Sequence, residues 1–391
     1  MSEATSASAA RPRHALLAGG GTGGHVFPAI AVGRELASRG WTISYAGSAA
    51  GLEARLVPQE GWPFHPLPAK AFLGRGVGAK IGALATLVRS SVAARALVKR
   101  LDVDAVLGTG GYASAPAVVG ARLAGRPILL LELNARAGVA NRMLARCATA
   151  AAVAFEDTRR DLACRSTVTG VPVREAFFEI AADLPAGPPR LLVLGGSQGA
   201  RQVNRAMPEA ARRLLTEIPD LSIRHQAGGK NVDETLAAYR AAGLDDALLA
   251  RVSVVPFIED VASALSQSHL IVSRAGAVTV AEICAAGRPA LFLPLTIAKG
   301  HQIENARLLE RAGAAEVLVE GDSSESGEPF AERLAARLAN KLIDLLADRE
   351  GLARRAAAAR SLSKPRAVAA IADALEAVAR PAAATGSGGS R

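Results

Sequence analysis

A short strand, a glycine-rich turn and a helix follow one another twice in this chain, and this repeat constrains the fold more than any other feature. The apolar run His14–Ala18 leads into the glycines of residues 19–24 and a helical pattern that starts at Val26. The run Arg190–Leu194 leads into a second glycine turn at 195–199 and a second helix. Because strand, glycine turn and helix open the nucleotide-type α/β unit, the chain is predicted to hold two such domains in tandem.

Apolar runs alternate with segments of helical spacing along the rest of the chain, which predicts α/β domains built on parallel sheets. We expect two Rossmann-like domains that face each other across a cleft, where ligands bind beyond the carboxyl ends of the strands. The further predicted strands are 42–46, 105–107, 127–132, 150–154, 222–226, 252–255, 270–273, 290–294 and 316–318.

The proline-rich segment 172–189 is the predicted boundary between the domains. The first domain is expected to span 14–173 and the second 174–361, with a helix at about 362–379 that packs back onto the first domain. Residues 1–13 and 380–391 are small and polar or rich in glycine and serine, which is typical of flexible tails. Residues 321–329 are predicted to form an exposed loop or hairpin.

Composition narrows the class of protein. Half of the 391 residues are hydrophobic, which excludes a disordered chain, and three cysteines cannot all pair, so we expect reduced thiols. Only 4% of the residues are aromatic, whereas single-strand nucleic-acid binders stack bases on aromatic rings. The N-terminus lacks a signal-peptide pattern, and no apolar run approaches the roughly 20 residues of a spanning helix. These features predict a cytosolic enzyme without a membrane span.

The formal net charge of +10 is concentrated in the first half of the chain. Residues 61–101 contain no Asp or Glu, and their apolar residues do not separate into a clean amphipathic stripe in the sequence. Such a stretch suits nucleic acid, anionic lipid or an acidic substrate, and the alternative is a solvated helical face. Its basic residues are Lys70, Arg75, Lys80, Arg89, Arg95, Lys99 and Arg100.

The first glycine turn, GGGTGGH, formally matches the dinucleotide fingerprint at Gly19, Gly21 and Gly24. A dinucleotide site also needs an acidic residue at the end of the second strand, and that strand ends in Ala-Gly-Ser instead. The turn also lacks the Lys-Ser or Lys-Thr of a P-loop. His25 follows the turn at a helix start, where the dipole disfavours imidazolium, so it is a candidate proton acceptor; the alternative is a capping or packing role.

Another glycine turn of the first half of the chain, GTGGY at residues 108–112, follows a predicted strand. The Asp102-Val103-Asp104 triplet before it imitates a metal motif, but it precedes a strand rather than following one, and we predict no metal site.

The segment 273–282 predicts an anion site at a helix N-terminus, where Glu282 can accept hydrogen bonds from sugar hydroxyls. An ordinary strand–helix turn is the alternative. Gln198, Gln302 and Asn305 are further polar candidates.

Seven motifs then carry a family resemblance over about residues 14–379. The chain resembles the MurG family, the lipid II-forming N-acetylglucosaminyltransferases of peptidoglycan synthesis. This family has the GT-B fold, two Rossmann-like domains, and is metal-independent. The motifs are, in order, GGGTGGHVFPAIA, GTGGYASAPA, GVPVREAF, GGSQGARQVN, HQAGG, SRAGAVTVAE and HQIENA.

The resemblance implies inverting transfer of N-acetylglucosamine from its UDP donor to the 4-hydroxyl of lipid I, a lipid-linked muramoyl-pentapeptide. It implies His25 as candidate base, Glu132 as a second catalytic residue, and no cofactor. On the donor side it implies contacts from Thr22, Gly23, Gly24, Asn134, Arg174, Ser197, Gln198, Ile258, Ala277, Val278, Thr279, Glu282, Gln302 and Asn305, with Ile258 at the uracil and Glu282 at the ribose. On the acceptor side it implies Gly110, Gly111, Tyr112 and Asn141.

The resemblance also implies a peripheral enzyme at the cytoplasmic face of the inner membrane. Its expected partners are UDP-N-acetylglucosamine, lipid I, anionic phospholipids and the cell-wall and division machinery, with no nucleic acid. Lys70, Arg75, Lys80 and Arg89 form the expected membrane patch. The chain departs from the family at 131–134, where Leu-Glu-Leu-Asn replaces the usual His-Glu-Gln-Asn, and at 298–302, where acidic residues are missing.

Three other functions remain open from the residues alone. A related inverting enzyme with a diacylglycerol acceptor differs only in the acceptor that it takes. An NAD-dependent oxidoreductase rests on the formal glycine fingerprint. A nucleotide-sensing interaction protein is disfavoured by the polar groups, His25 and Glu132, expected at loops that face a cleft.

Overall fold

The two apolar runs that precede the glycine turns are central strands of two parallel sheets. The computed structural model describes residues 11–70, 77–196, 199–295, 300–319 and 328–379. They divide into two units. The first holds the residues up to Leu133, Ala137–Pro172 and those from Arg366 onward, and the second holds Asn134–Arg136 and Val173–Pro365. The prediction of two parallel-sheet α/β domains is confirmed.

The first unit contains a seven-stranded parallel sheet of order β3-β2-β1-β4-β5-β6-β7. Its strands are β1 His14–Ala18, β2 Thr42–Gly47, β3 Phe64–Pro66, β4 Ala105–Gly108, β5 Ile128–Glu132, β6 Ala150–Val153 and β7 Ser166–Val168. Its helices are α1 Gly23–Ser38, α2 Glu53–Leu56, α3 Val77–Arg100, α4 Gly111–Leu123 and α5 Val139–Leu144.

The register of this sheet brings three loops together. Ala18, the last residue of β1, pairs with Ala46 of β2 and with Gly108 of β4. In a parallel sheet all carboxyl ends lie at one edge, so the glycine turns after β1 and β4 are neighbours even though about 90 residues separate them in the chain. Every residue of β1 is buried, as expected for a strand covered on both faces.

The second unit contains a six-stranded parallel sheet of order β10-β9-β8-β11-β12-β13. Its strands are β8 Arg190–Leu194, β9 Ser222–Gln226, β10 Val252–Val255, β11 Leu270–Ser273, β12 Ala290–Phe292 and β13 Ala315–Val317. Its helices are α6 Arg201–Glu217, α7 Val232–Ala241, α8 Asp246–Leu249, α9 Val261–Ser266, α10 Ala277–Ala286, α11 His301–Arg311, α12 Glu328–Ala347 and α13 Arg349–Ser361.

The last helix, α14 (Ala367–Val378), belongs to the first unit. It is tied there by polar contacts as well as by its buried apolar face. Arg39, at the end of α1, pairs with Asp373 at 2.6 Å and Glu376 at 2.8 Å, and the indole N–H of Trp41 donates to Glu376 at 3.0 Å. The contacts return the chain end to the unit that contains its beginning.

Three features of the fold were not predicted from the sequence. Strands β3 and β7 were not predicted, because each is a three-residue, half-exposed edge strand without a long apolar run. Glu328 and Pro329, predicted to lie in a loop, begin helix α12, and residues 321–327 lie outside the described part of the chain. The segment 172–189 includes a 3-10 helix, Glu175–Phe177, and Phe177 packs in the hydrophobic core of the second unit with Leu192 and Phe292.

Candidate functional site

His25 has a fixed orientation in the first turn of α1. The helix begins at Gly23 with Thr22 as its N-cap, and the side chain of Thr22 makes no cap hydrogen bond. The Nδ1 atom of His25 lies 2.7 Å from the carbonyl oxygen of Thr109, in the turn after β4. A carbonyl oxygen can only accept, so Nδ1 carries the hydrogen and Nε2 of the neutral ring keeps its lone pair.

Two glycines in the left-handed backbone region lie against the imidazole of His25. Gly110 and Gly111 have φ of 88° and 71°, which strongly favours glycine. A Cβ at Gly110 would lie 3.4 Å from His25 Cε1 and 3.1 Å from Asn141 Nδ2. A Cβ at Gly111 would lie 3.3 Å from both His25 Cδ2 and the carbonyl oxygen of Gly20. The turn therefore leaves room for the ring, and both His25 and Asn141 lie next to the Cβ position of Gly110.

Glu132 and Asn141 form a buried pair at the carboxyl end of β5. Each is less than 4% exposed. The amide of Asn141 donates to Glu132 Oε2 and to the Leu131 carbonyl, both at 3.0 Å, and Glu132 Oε2 also accepts the Gly138 N–H at 2.9 Å. These hydrogen bonds hold both side chains in place. Tyr112, in the first turn of α4, is 42% exposed.

The structure explains why the dinucleotide fingerprint is only formal. Gly21, its second glycine, donates its N–H to the carboxylate of Glu53 at 3.2 Å. In a dinucleotide site the second glycine lets the backbone approach the pyrophosphate. Glu53 and Thr109 were not among the residues predicted for the site. The available signal for Glu53 was an acidic residue a few positions after β2.

The Asp102-Val103-Asp104 triplet is used in ion pairs. Arg11 lies 2.9 Å from Asp102 and 2.8 Å from Asp104, and Arg126 lies 2.8 Å from Asp102. Asp104 also accepts the backbone N–H of His14 at 2.8 Å. Both carboxylates therefore have structural partners. Within the described ranges, no group of three His, Cys, Asp or Glu side chains is placed to hold a metal ion.

The second unit contains a helix N-terminus followed, within the same helix, by the partly buried carboxyl group of Glu282. The first amides of helix α10, like those of any helix, have no partner within the helix. The N-cap residue, Gly276, has no side chain that could accept from them. Burial raises the pKa of Glu282 to about 7, while the charge of Arg174 acts in the opposite direction. The Arg174 guanidinium lies 5.0 Å from the ring centre of Phe177. Glu282 can thus change its charge near neutral pH.

Asn305, in α11, is fully buried and hydrogen bonded on both sides. Its Oδ1 accepts the Ala135 N–H at 2.8 Å, and its Nδ2 donates to the Ala275 carbonyl at 3.1 Å and to Asn134 Oδ1 at 3.3 Å. It therefore connects the residue before Gly276 with the segment Asn134–Arg136, which belongs to the same unit. Asn305 is therefore held by hydrogen bonds within the protein, and Asn134 is partly buried.

The other predicted donor residues have different surroundings. Gln302 accepts the Leu295 N–H at 3.0 Å through its side-chain oxygen. Ile258 is only 2% exposed, so it can offer a ligand no more than a small edge. Ser197 and Gln198 lie outside the described residues, as do residues 296–299. The structure places Ala277, Val278 and Thr279 in the first turn of α10.

His225 is a fully buried histidine in β9. Its Nε2 lies 3.1 Å from Asn204 Oδ1 and its Nδ1 lies 2.9 Å from the hydroxyl of Tyr239. Asn204 in turn donates to the carbonyl of Ala227 at 2.8 Å. Burial lowers the pKa of His225 to about 4, so the ring is neutral at pH 7.

Helix α3 presents an exposed apolar stripe, contrary to the expectation from sequence. Ile81, Leu84, Val88 and Val92 are 54–66% exposed and span an arc of about 80° at 100° per residue. Ile81–Arg100 is also long and apolar enough to cross a membrane by length and composition, with mean hydropathy 1.4, which sequence analysis did not predict. Lys70 and Arg89 are exposed; Arg75 and the side chain of Lys80 lie outside the described part.

Comparison with known proteins agrees with this architecture. Residues 15–153 match the glycosyltransferase family 28 N-terminal domain and residues 190–371 match the glycosyltransferase family 28 C-terminal domain. A Pseudomonas putida KT2440 protein named UDP-N-acetylglucosamine–N-acetylmuramyl-(pentapeptide) pyrophosphoryl-undecaprenol N-acetylglucosamine transferase is 40% identical, over 93% of this chain and 98% of the relative. A protein of the same name from Halorhodospira halophila is 41% identical, over 94% and 99%.

The crystal structure of Acinetobacter baumannii MurG is also similar. It is 34% identical, with a TM-score of 0.76, over 94% of this chain and all of that one. The fold and the two family domains define a UDP-sugar glycosyltransferase. Within this class, the chain belongs to the MurG family.

Proposed function

We propose that this chain transfers N-acetylglucosamine from UDP-N-acetylglucosamine to the muramoyl 4-hydroxyl of lipid I, which gives lipid II and UDP. The names of the relatives, which match the chain over nearly its whole length at about 40% identity, support this reaction. The observation that carries the mechanism is the contact between His25 Nδ1 and the Thr109 carbonyl, because it leaves Nε2 as the proton-accepting atom.

Proton transfer accompanies the formation of the glycosidic bond. The acceptor hydroxyl donates its hydrogen to His25 Nε2 as its oxygen attacks the anomeric carbon. The bond between that carbon and the UDP oxygen breaks, and the configuration inverts. Tyr112, Asn141 and Glu132 belong to the acceptor side of this proposal. Glu132 already accepts two hydrogen bonds through Oε2, which supports a positioning role for it.

The leaving UDP gains negative charge that must be stabilised where it develops. The uncapped N-terminus of α10 supplies backbone N–H groups and the positive end of the helix dipole, and Arg174 supplies a full charge. The carboxyl group of Glu282 can accept hydrogen bonds from the ribose hydroxyls. We propose that Thr22, Gly23, Gly24, Asn134, Ser197, Gln198, Ile258, Gln302 and Asn305 complete or support donor binding.

The apolar stripe of α3 supports a peripheral membrane location, at the cytoplasmic face where a lipid-linked acceptor is reached. The helix packs its other side on the protein, with Ala83, Ala94 and Val98 buried, so it lies along the surface of the first unit. A helix used in this way inserts one face among the lipid headgroups and does not span. Arg89 and Lys70 add attraction to anionic phospholipids.

The purified protein tests the reaction directly. Labelled N-acetylglucosamine should pass from its UDP donor to lipid I but not to diacylglycerol, and equally well with or without a chelator. Transfer to diacylglycerol alone would assign the chain to the related lipid glycosyltransferases. Stabilisation by NADH but not UDP would instead favour an oxidoreductase, and failure to turn over with either lipid would favour a nucleotide-sensing protein.

A further inference from the structure

Glu53 is a fully buried carboxylate whose interactions converge on the first glycine turn. It lies in the first turn of α2 and is 0% exposed. Its Oε2 accepts the Gly21 N–H at 3.2 Å, and its Oε1 accepts the Ser48 N–H at 2.8 Å. It therefore ties the loop after β1 to the loop after β2 through two charge-assisted hydrogen bonds, which are stronger than neutral ones.

Three glycines make room for this side chain. A Cβ at Gly20 would lie 1.9 Å from Glu53 Oε1, one at Gly51 would lie 2.2 Å from Oε2, and one at Gly47 would lie 2.6 Å from Cγ. Neither Gly20, Gly47 nor Gly51 has a positive φ, so backbone conformation does not require glycine there. What these positions share is contact with Glu53.

The carboxylate is connected to His25 by a short path. Gly21 precedes Thr22, the N-cap of α1, and the His25 N–H donates to the Thr22 carbonyl at 3.1 Å. On the other side of the turn, the Gly20 carbonyl faces Gly111, which also packs against the His25 ring. A shift of Gly20 and Gly21 must therefore move both the helix start and the surface that orients the imidazole.

We propose that Glu53 is a positioning residue for the transfer reaction, an internal anion that holds the first glycine turn in the shape that His25 requires. By taking the Gly21 N–H, it also withdraws that donor from any substrate phosphate. The proposal rests on the role of His25 as the base, and it concerns geometry within the first unit.

The test compares Glu53→Gln with Glu60→Gln, a nearby carboxylate that pairs with Arg34 at 2.6 Å outside the turn. Glutamine keeps the volume of Glu53 but places an NH₂ group against one of the two backbone donors, so one bond is lost. We expect E53Q to exchange its Gly21 or Ser48 amide hydrogen at least about tenfold faster and to lose at least about tenfold in kcat. E60Q should match the parent in both amide exchange and kcat.

A double-mutant cycle with His25→Ala separates positioning through the base from general destabilisation. If Glu53 acts through His25, E53Q in the H25A background should lower kcat no further than about twofold. The proposal would be overturned if the losses of kcat in E53Q and H25A multiplied in the double variant. It would also be overturned if E53Q left both amide exchange and kcat unchanged. Full activity of H25A would overturn the role of His25 itself, while the exchange result for E53Q would still report on the turn.

Discussion

The carbonyl oxygen of Thr109 lies 2.7 Å from His25 Nδ1, and the Thr109 hydroxyl donates to the His25 carbonyl at 3.0 Å. One residue thus contacts both the ring and the backbone of the histidine. The two contacts join the turn after β4 to the first turn of α1, and they fix which ring nitrogen is left to accept a proton. The geometry of this turn should therefore determine turnover.

Replacement of Gly111 by alanine tests this dependence. Its Cβ would lie 3.3 Å from His25 Cδ2 and 3.5 Å from Nε2, so the ring must move. We expect kcat to fall at least about tenfold, because small misplacements of reacting groups are costly, while the affinity for UDP-N-acetylglucosamine stays within about twofold. Steady-state transfer and calorimetric donor binding give the two values.

Gly125→Ala is the matched control for this substitution. Gly125 has a similar φ of 65°, but a Cβ there meets no heavy atom within 4 Å. Both variants carry the strain of a left-handed alanine, about 1–2 kcal/mol, so a comparable loss of kcat in G125A would show that strain alone explains the effect.

The order of strands and glycine turns was readable from the sequence because buried parallel strands are continuous apolar runs. The contacts that build the site were not. His25 and Thr109 are 84 residues apart, and Gly21 and Glu53 are 32 apart. They meet only because β2, β1 and β4 are neighbours in the sheet, which local patterns do not encode. Some candidates, such as His25 and Glu282, followed from the glycine turns and helix starts, and the others followed from the family resemblance. Their hydrogen-bond partners required the fold.

The stripe on α3 shows a different limit. Ile81, Leu84, Val88 and Val92 stand at helical spacing, but the sequence does not reveal which apolar face the fold covers. Ala83, Ala94 and Val98 are also apolar and are buried. Only the packing of the helix decides which of the two faces remains exposed.

Glu282 should make donor binding depend on pH. Burial raises its pKa to about 7, so in the free protein it is mostly neutral at pH 6 and mostly ionised at pH 8. An ionised carboxylate accepts ribose hydroxyls better, so UDP-N-acetylglucosamine should bind about tenfold more tightly at pH 8 than at pH 6. Titration calorimetry measures this affinity, which should not change with pH in the Glu282→Gln variant. An equal slope in E282Q would assign the dependence to another group.

His225 should destabilise the fold in acid. Its pKa of about 4 lies below the ordinary 6.5, so the unfolded chain binds the proton more tightly. The contribution of neutral His225 to the free energy of unfolding is fully present above pH 6.5. It is lost as the pH falls toward 4, by on the order of 3 kcal/mol. Urea unfolding of the parent and His225→Gln should show a smaller fall in the variant. An NMR titration midpoint near 6.5 for His225 would contradict the prediction.

The stripe of α3 should drive vesicle binding. Leu84→Ser with Val88→Ser removes two exposed apolar side chains, each able to contribute about 1.5 kcal/mol or more when buried in lipid. We expect affinity for vesicles rich in phosphatidylglycerol to fall at least about tenfold, while transfer to a short-chain, soluble lipid I analogue is retained. Phe257→Ser is the control, since Phe257 is 54% exposed in the second unit.

Raising the salt concentration should weaken the vesicle binding that remains, because the basic residues attract anionic lipid by charge. If substitution of Lys70, Arg75 and Lys80 reduced vesicle binding but substitution of Leu84 and Val88 did not, the membrane attachment would be electrostatic. If neither group of substitutions reduced vesicle binding, the apolar stripe of α3 would have another partner.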